Sequence, residues 1–254
     1  MTLFLIELLK EHSRLIQVAF FGLKNKYALN KLGMIWLPAQ TILISLALCT
    51  VFGRLGKQDY FFSFCYIYSG LTVVLVTVDC FNRQLIRTKS MMLLQTQRPF
   101  HSIFLVGVYE NLIELLIGTF ILSFIAVYIH QTLDLGKLFL FILSFGMLMF
   151  SIFVFIALLR FFVPDFKQVV QLGSRSLIFI SPVFWLPNDA VGLRETLLEY
   201  NILSQFLMCY RDIFSISTVE DGAWVVVFGF SILSATTALI TLRTFDKFFK
   251  KVSF

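Results

Sequence analysis

Three stretches of this chain, 34–53, 138–159 and 222–242, run for twenty positions or more without a single charged side chain. A helix of about 20 apolar residues rises about 30 Å, the thickness of bilayer hydrocarbon. Two further runs belong with them: 60–78, which is charge-free, and 103–129, which carries only Glu110 and Glu114. A sixth, 168–188, is interrupted by Arg175, Pro182 and Pro187 and reads as a short or broken crossing. The expected fold is an all-α polytopic membrane protein, a single domain over 1–254 with six transmembrane helices. A water-soluble reading fails because 58% of the residues are hydrophobic and 14% charged, far from globular usage.

The net charge of +6 raises the question of nucleic acid, but the basic residues are scattered between apolar runs and form no stripe. No nucleic-acid partner is expected. Counted by alternate segments, they record orientation instead. One side holds Lys10, Arg14, Lys24, Lys26 and Lys31, then Arg83, Arg87, Lys89 and Arg98, then Arg160, Lys167 and Arg175, then Arg243, Lys247, Lys250 and Lys251. The other has only Arg54, Lys57, Lys137, Arg194 and Arg211, and its longest loop is acidic. Both termini are therefore expected in the cytoplasm.

The segments between spans carry patterns of their own. In 1–32, Glu7, Lys10, Glu11 and Arg14 share one helical face and Leu5, Leu8, Leu9, Leu15 and Ile16 the opposite one, as in a helix lying along the interface. Glu7 and Glu11 break any signal-peptide core, and no small-residue cleavage site follows, so the segment is expected to be retained. The stretches 82–101 and 161–172 mix charge with apolar residues at helical spacing and predict short cytoplasmic helices. The loop 189–221 contains a charge-free run, 200–210, too short to cross; it is either a re-entrant or interfacial helix or an amphipathic surface loop.

Chemistry-bearing motifs are missing. There is no phosphate-binding G-x-x-x-x-G-K-[ST] loop, no G-x-S-x-G elbow, no H-E-x-x-H pair and no glycine-rich dinucleotide turn. No enzymatic activity and no cofactor are expected in this chain. His12, His101 and His130 are dispersed, so no metal site is expected, and Cys49, Cys65, Cys80 and Cys209 offer no disulfide framework. Glu110 and Glu114 sit four apart on one helical face, with Gly107, Asn111 and Gly118 nearby. Intramembrane carboxylates are costly and face a bundle interior or a wet cavity. They either line a hydrophilic path or are paired internally, Arg175 being a candidate partner. Trp36, Tyr66, Tyr68 and Tyr109 join an apolar face to a polar edge and, with the two glutamates, are candidate conduit-lining residues.

With this topology in place, several short segments resemble the membrane subunit of a type-2 ABC exporter, specifically the permeases of capsule and O-antigen polysaccharide systems. Lys31-Leu32-Gly33-Met34-Ile35-Trp36 is similar to that family's L-G-x-x-W entry into the first span. Asn82, Leu85, Ile86 and Pro99 resemble the framing of its first cytoplasmic loop, and Phe162-Val163-Pro164-Asp165 a turn after its fourth span. Ser181-Pro182-Val183-Phe184-Trp185, Asn201 and Arg211 resemble its fifth span and outer loop, although Ile202 replaces the usual proline and Pro38 falls early. The resemblance implies a permease in a bacterial inner membrane that exports a lipid-linked polysaccharide, working as two copies with two copies of a separate ATPase. ATP and Mg²⁺ would be held by that partner. It further implies ATPase coupling through Arg87, Lys89, Pro99, Pro164, Asp165 and Lys167, and an external gate around Pro182, Trp185, Asn201 and Arg211. Competing readings are an exporter of teichoic acid or a small lipophilic compound, a proton-coupled carrier using Glu110 and Glu114, and a membrane glycolipid enzyme.

Overall fold

The computed structural model describes residues 2–28, 30–52, 59–93, 100–128, 132–163, 165–187, 191–217, 219 and 221–252. Side chains are described within 11–28, 30–52, 59–82, 104–128, 132–160, 162–163, 165–187, 191–217, 219 and 222–244. All regular structure among the described residues is helical: α1 (Thr2–Lys26), α2 (Trp36–Phe52), α3 (Tyr60–Leu93), α4 (Phe100–Tyr128), α5 (Leu135–Phe162), α6 (Phe166–Ile180), α7 (Leu193–Tyr200), α8 (Ile202–Asp212) and α9 (Asp221–Val252). Among the described residues five segments, Gly33–Phe52 running into α2 and stretches within α3, α4, α5 and α9, are long and apolar enough to cross a membrane. The architecture is consistent with a polytopic helical membrane protein.

α3 is the axis of the bundle, packed by α2, α4, α5, α6 and α8. The sequence predicts a span over 60–78 and a separate short helix within 82–101. The structure instead continues α3 unbroken to Leu93. No proline or glycine falls between 79 and 93 to stop it, and its 34 residues extend about 51 Å, well beyond hydrocarbon thickness. The predicted helix over 161–172 is likewise redistributed. α5 ends at Phe162 with Val163 extended ahead of Pro164, and the rest forms the first half of α6.

α6 departs most from expectation. It holds 15 residues, about 22 Å, and stops where Ser181 turns extended before Pro182. A full helix over 168–188 does not form; 181–187 is an irregular turn whose first residues are buried. The two pieces nonetheless run from one end of the bundle to the other. Val170 near the start of α6 clusters with Ile156, with Phe81 and Phe166 packed against them, while beyond its C-terminus the Tyr66 hydroxyl donates to the Trp185 carbonyl. Phe81 and Tyr66 are about 22 Å apart along α3.

Connectivity demands this return. Trp224 at the start of α9 and Lys137 at the start of α5 meet on Asp212, and farther along both helices Ser151 bonds Ser234. α5 and α9 are parallel neighbours, so the chain between them traverses the bundle backwards once. α8 lies at the end where these two helices begin, the α8 end, and α1 docks toward the opposite one, the α1 end.

α8 settles the open reading of 200–210. Asn201 terminates α7 and caps α8, its side chain accepting from the Leu203 amide at 3.1 Å. Leu203, Phe206, Leu207, Cys209, Tyr210 and Arg211 are all buried. Phe206 packs on Phe141 and Phe145 with ring centroids 6.0 Å apart, and Tyr210 on Phe141 at 5.1 Å. Phe141 and Phe145 lie about 9–15 Å along α5 from its first residue. α8 therefore inserts into the bundle and does not lie on its surface.

Candidate functional site

Two clusters of polar side chains sit inside this scaffold, one toward each end. The first is built where α1 docks on α4 and its last residue, Lys26, reaches α3. α1 buries a single row spaced by four, Leu15, Ala19, Leu23 and then Tyr27. Ile16, expected on that apolar face, is 44% exposed. Beside the row, His12 Nδ1 bonds the Tyr109 hydroxyl, and Gly22 lies so close to Glu110 that a Cβ there would collide with its carboxylate. Lys26 reaches Asp79 at 2.8 Å and Glu114 at 3.7 Å.

Glu110 and Glu114 are thus both buried against α1. The expected partner Arg175 is not with them; it is exposed on α6. Lys26 was not legible as the partner because 88 residues of chain separate it from Glu114. Beyond this contact a small cleft of about 70 Å³ opens between Tyr27, α2, α3 and α4, with Gln40, Thr41, Thr72, Asp79 and Glu114 on its wall.

The second cluster surrounds Arg211, which is completely buried. Its Nη2 donates to the Tyr66 carbonyl at 3.0 Å and its Nε to the Ser69 hydroxyl at 3.3 Å. The guanidinium carbon lies 3.4 Å from the Tyr66 ring centroid. Space for it exists because position 70 is glycine: a Cβ there would stand 2.7 Å from Nη2 and 3.3 Å from the Val183 Cα. Alongside, Lys137 bonds Asp212 at 2.7 Å, Trp224 Nε1 donates to the same carboxylate at 2.9 Å, and the Tyr210 and Thr119 hydroxyls meet at 3.0 Å. Burial pushes the Cys209 thiol up to about 12; Asp212 adds to the rise and Lys137 opposes it. The thiol is therefore protonated at neutral pH and unreactive while α8 is seated.

The residues singled out from sequence divide between these clusters. Of the conduit candidates, Tyr68 and Glu114 share the cleft, Glu110 and Tyr109 lie under α1, Trp36 is exposed at the start of α2, and Tyr66 belongs to the Arg211 cluster. They do not form one lining. Of the gate candidates, Arg211 and Trp185 converge on Tyr66, Pro182 is buried in the adjoining turn, and Asn201 serves as the α8 cap. Asp165 and Lys167 are exposed where α6 begins. Pro99 and Pro164, and the side chains of Arg87 and Lys89, lie outside the described residues. Sequence reading missed Lys26, Gly70, Lys137 and Asp212. An Arg-Asp pair closing a charge-free run was the available signal for the α8 contacts, whereas nothing local marked Gly70.

No family model matches the chain, and no curated protein matches it either.

Proposed function

We propose that this chain is the membrane-spanning permease of an ABC exporter carrying a lipid-linked polysaccharide of the capsule or O-antigen kind, with both termini cytoplasmic and the ATPase supplied by a separate protein. In this reading α2, α3, α4, α5, α6 with its turn, and α9 are six crossings. The α1 end is cytoplasmic. Asp79, the partner of Lys26, lies about 28 Å along α3 from Tyr60, close to the hydrocarbon thickness, a level that suits an interfacial α1.

The observation that carries the proposal is the outer face of α6. Gln168, Leu172, Arg175 and Phe179 form an exposed row along it. A cation facing lipid in mid-crossing costs roughly 2.5–3.5 kcal/mol on insertion scales. A second copy enclosing a hydrated conduit with this row on its wall removes that cost. Aromatic and polar groups spaced along such a wall hold sugar rings weakly and let them slide. The long extension of α3 beyond Asp79 and the exposed Asp165 and Lys167 offer contacts for the ATPase.

The test is reconstitution of the chain in lipid vesicles with its separate ATPase. ATP-driven accumulation of a radiolabelled lipid-linked polysaccharide is expected, at least tenfold reduced by Arg175→Glu with ATPase association intact. Transport of small lipophilic compounds but no polymer would overturn the substrate assignment.

A further inference from the structure

We infer that Arg211 is an anion subsite built into α8, which takes an oxyanion, a phosphate or a carboxylate, when α8 lifts from α3. The basis is an unbalanced charge. Arg211 is wholly buried, yet its partners are the neutral Tyr66 carbonyl, Ser69 hydroxyl and Tyr66 ring. Among the described residues its Nη1 finds no acceptor and no carboxylate pairs with it. Asp212, its neighbour in sequence, is committed to Lys137 and Trp224. A buried cation without a counter-charge is expensive compared with a paired one.

A second orphan lies in the adjoining turn. The Ser181 hydroxyl is buried without a partner among the described residues, and Ser181 opens the turn that carries Val183 to Gly70, where Arg211 Nη2 also lies. A free guanidinium arm and a free hydroxyl on segments meeting over one glycine suit an oxyanion, which a guanidinium binds through parallel N–H bonds. Toward solvent, Arg194 stands 5.8 Å from the Trp185 ring, and the Trp185 carbonyl is bonded by Tyr66. A second cation thus flanks the approach, with Glu195 and Glu199 exposed on the same short helix.

With α8 seated the subsite is sealed. An anion gains Arg211 only in the lifted state, so its differential affinity shifts the balance toward lifting. The inference rests on the exporter reading in one respect, that α8 is a gate.

Cys209 provides the readout, two residues before Arg211 and buried while α8 is seated. The wild-type chain in phosphatidylcholine nanodiscs is treated with a maleimide, and the adduct at Cys209 is quantified by mass spectrometry. Inorganic pyrophosphate or a hexuronate oligosaccharide is expected to raise its labelling rate about tenfold, the effect of a shift of about 1.4 kcal/mol, and a neutral maltooligosaccharide to leave it unchanged. A rise from phosphatidylglycerol alone assigns the oxyanion to lipid headgroups. Arg211→Gln is expected to lose the response and Arg211→Lys to keep part of it. No response to either anion, or an equal response to the neutral sugar, overturns the inference from the wild-type arms alone, whether or not the variants fold. Because neither ATPase nor export enters the measurement, the subsite and the exporter reading fail separately.

Discussion

At the scale of single residues, close approach decides more than charge count. Gly70 lets Arg211 lie flat between α3 and the turn after α6, and its replacement is a steric test of α8 seating. Gly70→Ala places a Cβ 2.7 Å from Nη2 and 3.3 Å from the Val183 backbone. Overpacking of this kind costs about 1–3 kcal/mol, so the variant is expected to melt at lower temperature and to label faster at Cys209. Unchanged melting and unchanged labelling would show that α8 does not depend on this contact. Gly22 plays the same part under α1. Gly22→Leu is expected to displace α1 from Glu110, read as faster hydrogen exchange through Thr2–Lys26 with α4 protection retained.

At the scale of elements, the pairings depend on residues far apart in sequence. Lys26→Glu sets a third carboxylate beside Asp79 and Glu114, and is expected to release the end of α1, with the double variant Lys26→Glu, Asp79→Lys restoring amide protection. Failure of that rescue would place the anchoring of α1 in its apolar row instead. The long helices were legible from charge-free length, and α1 as a helix from the spacing of its charged and apolar residues, but its buried row was not, since Ile16 was expected in it and is exposed. α8 was legible only as an undecided alternative, because its polar residues, Ser204, Arg211 and Asp212, find their partners on α3, α5, α7 and α9. The partner of Glu114 was misassigned for the same reason: a wheel drawn on one helix identifies the face but not what meets it. The end of α3 was misplaced because charge was taken to mark the end of a helix, whereas charge marks only the end of its apolar part.

At the scale of the whole molecule, the parallel pairing of α5 and α9 requires the chain between them to return once along the bundle. A single cysteine introduced at Lys10 or Lys247 is expected to react with impermeant maleimide from one face of the membrane and one introduced at Arg194 from the other. Labelling of positions 10 and 194 from the same face would remove α6 as a crossing. The brevity of α6 bears also on how such a chain is made. Its 15 residues, with Arg175 among them, are a poor substrate for insertion on their own. α3 is already synthesised when α6 emerges, and α3 supplies the surface on which α6 packs. During biosynthesis, the penultimate passage is thus expected to be drawn in by helix pairing after its neighbours have been released into lipid, and the orientation of α9 is decided at that late step.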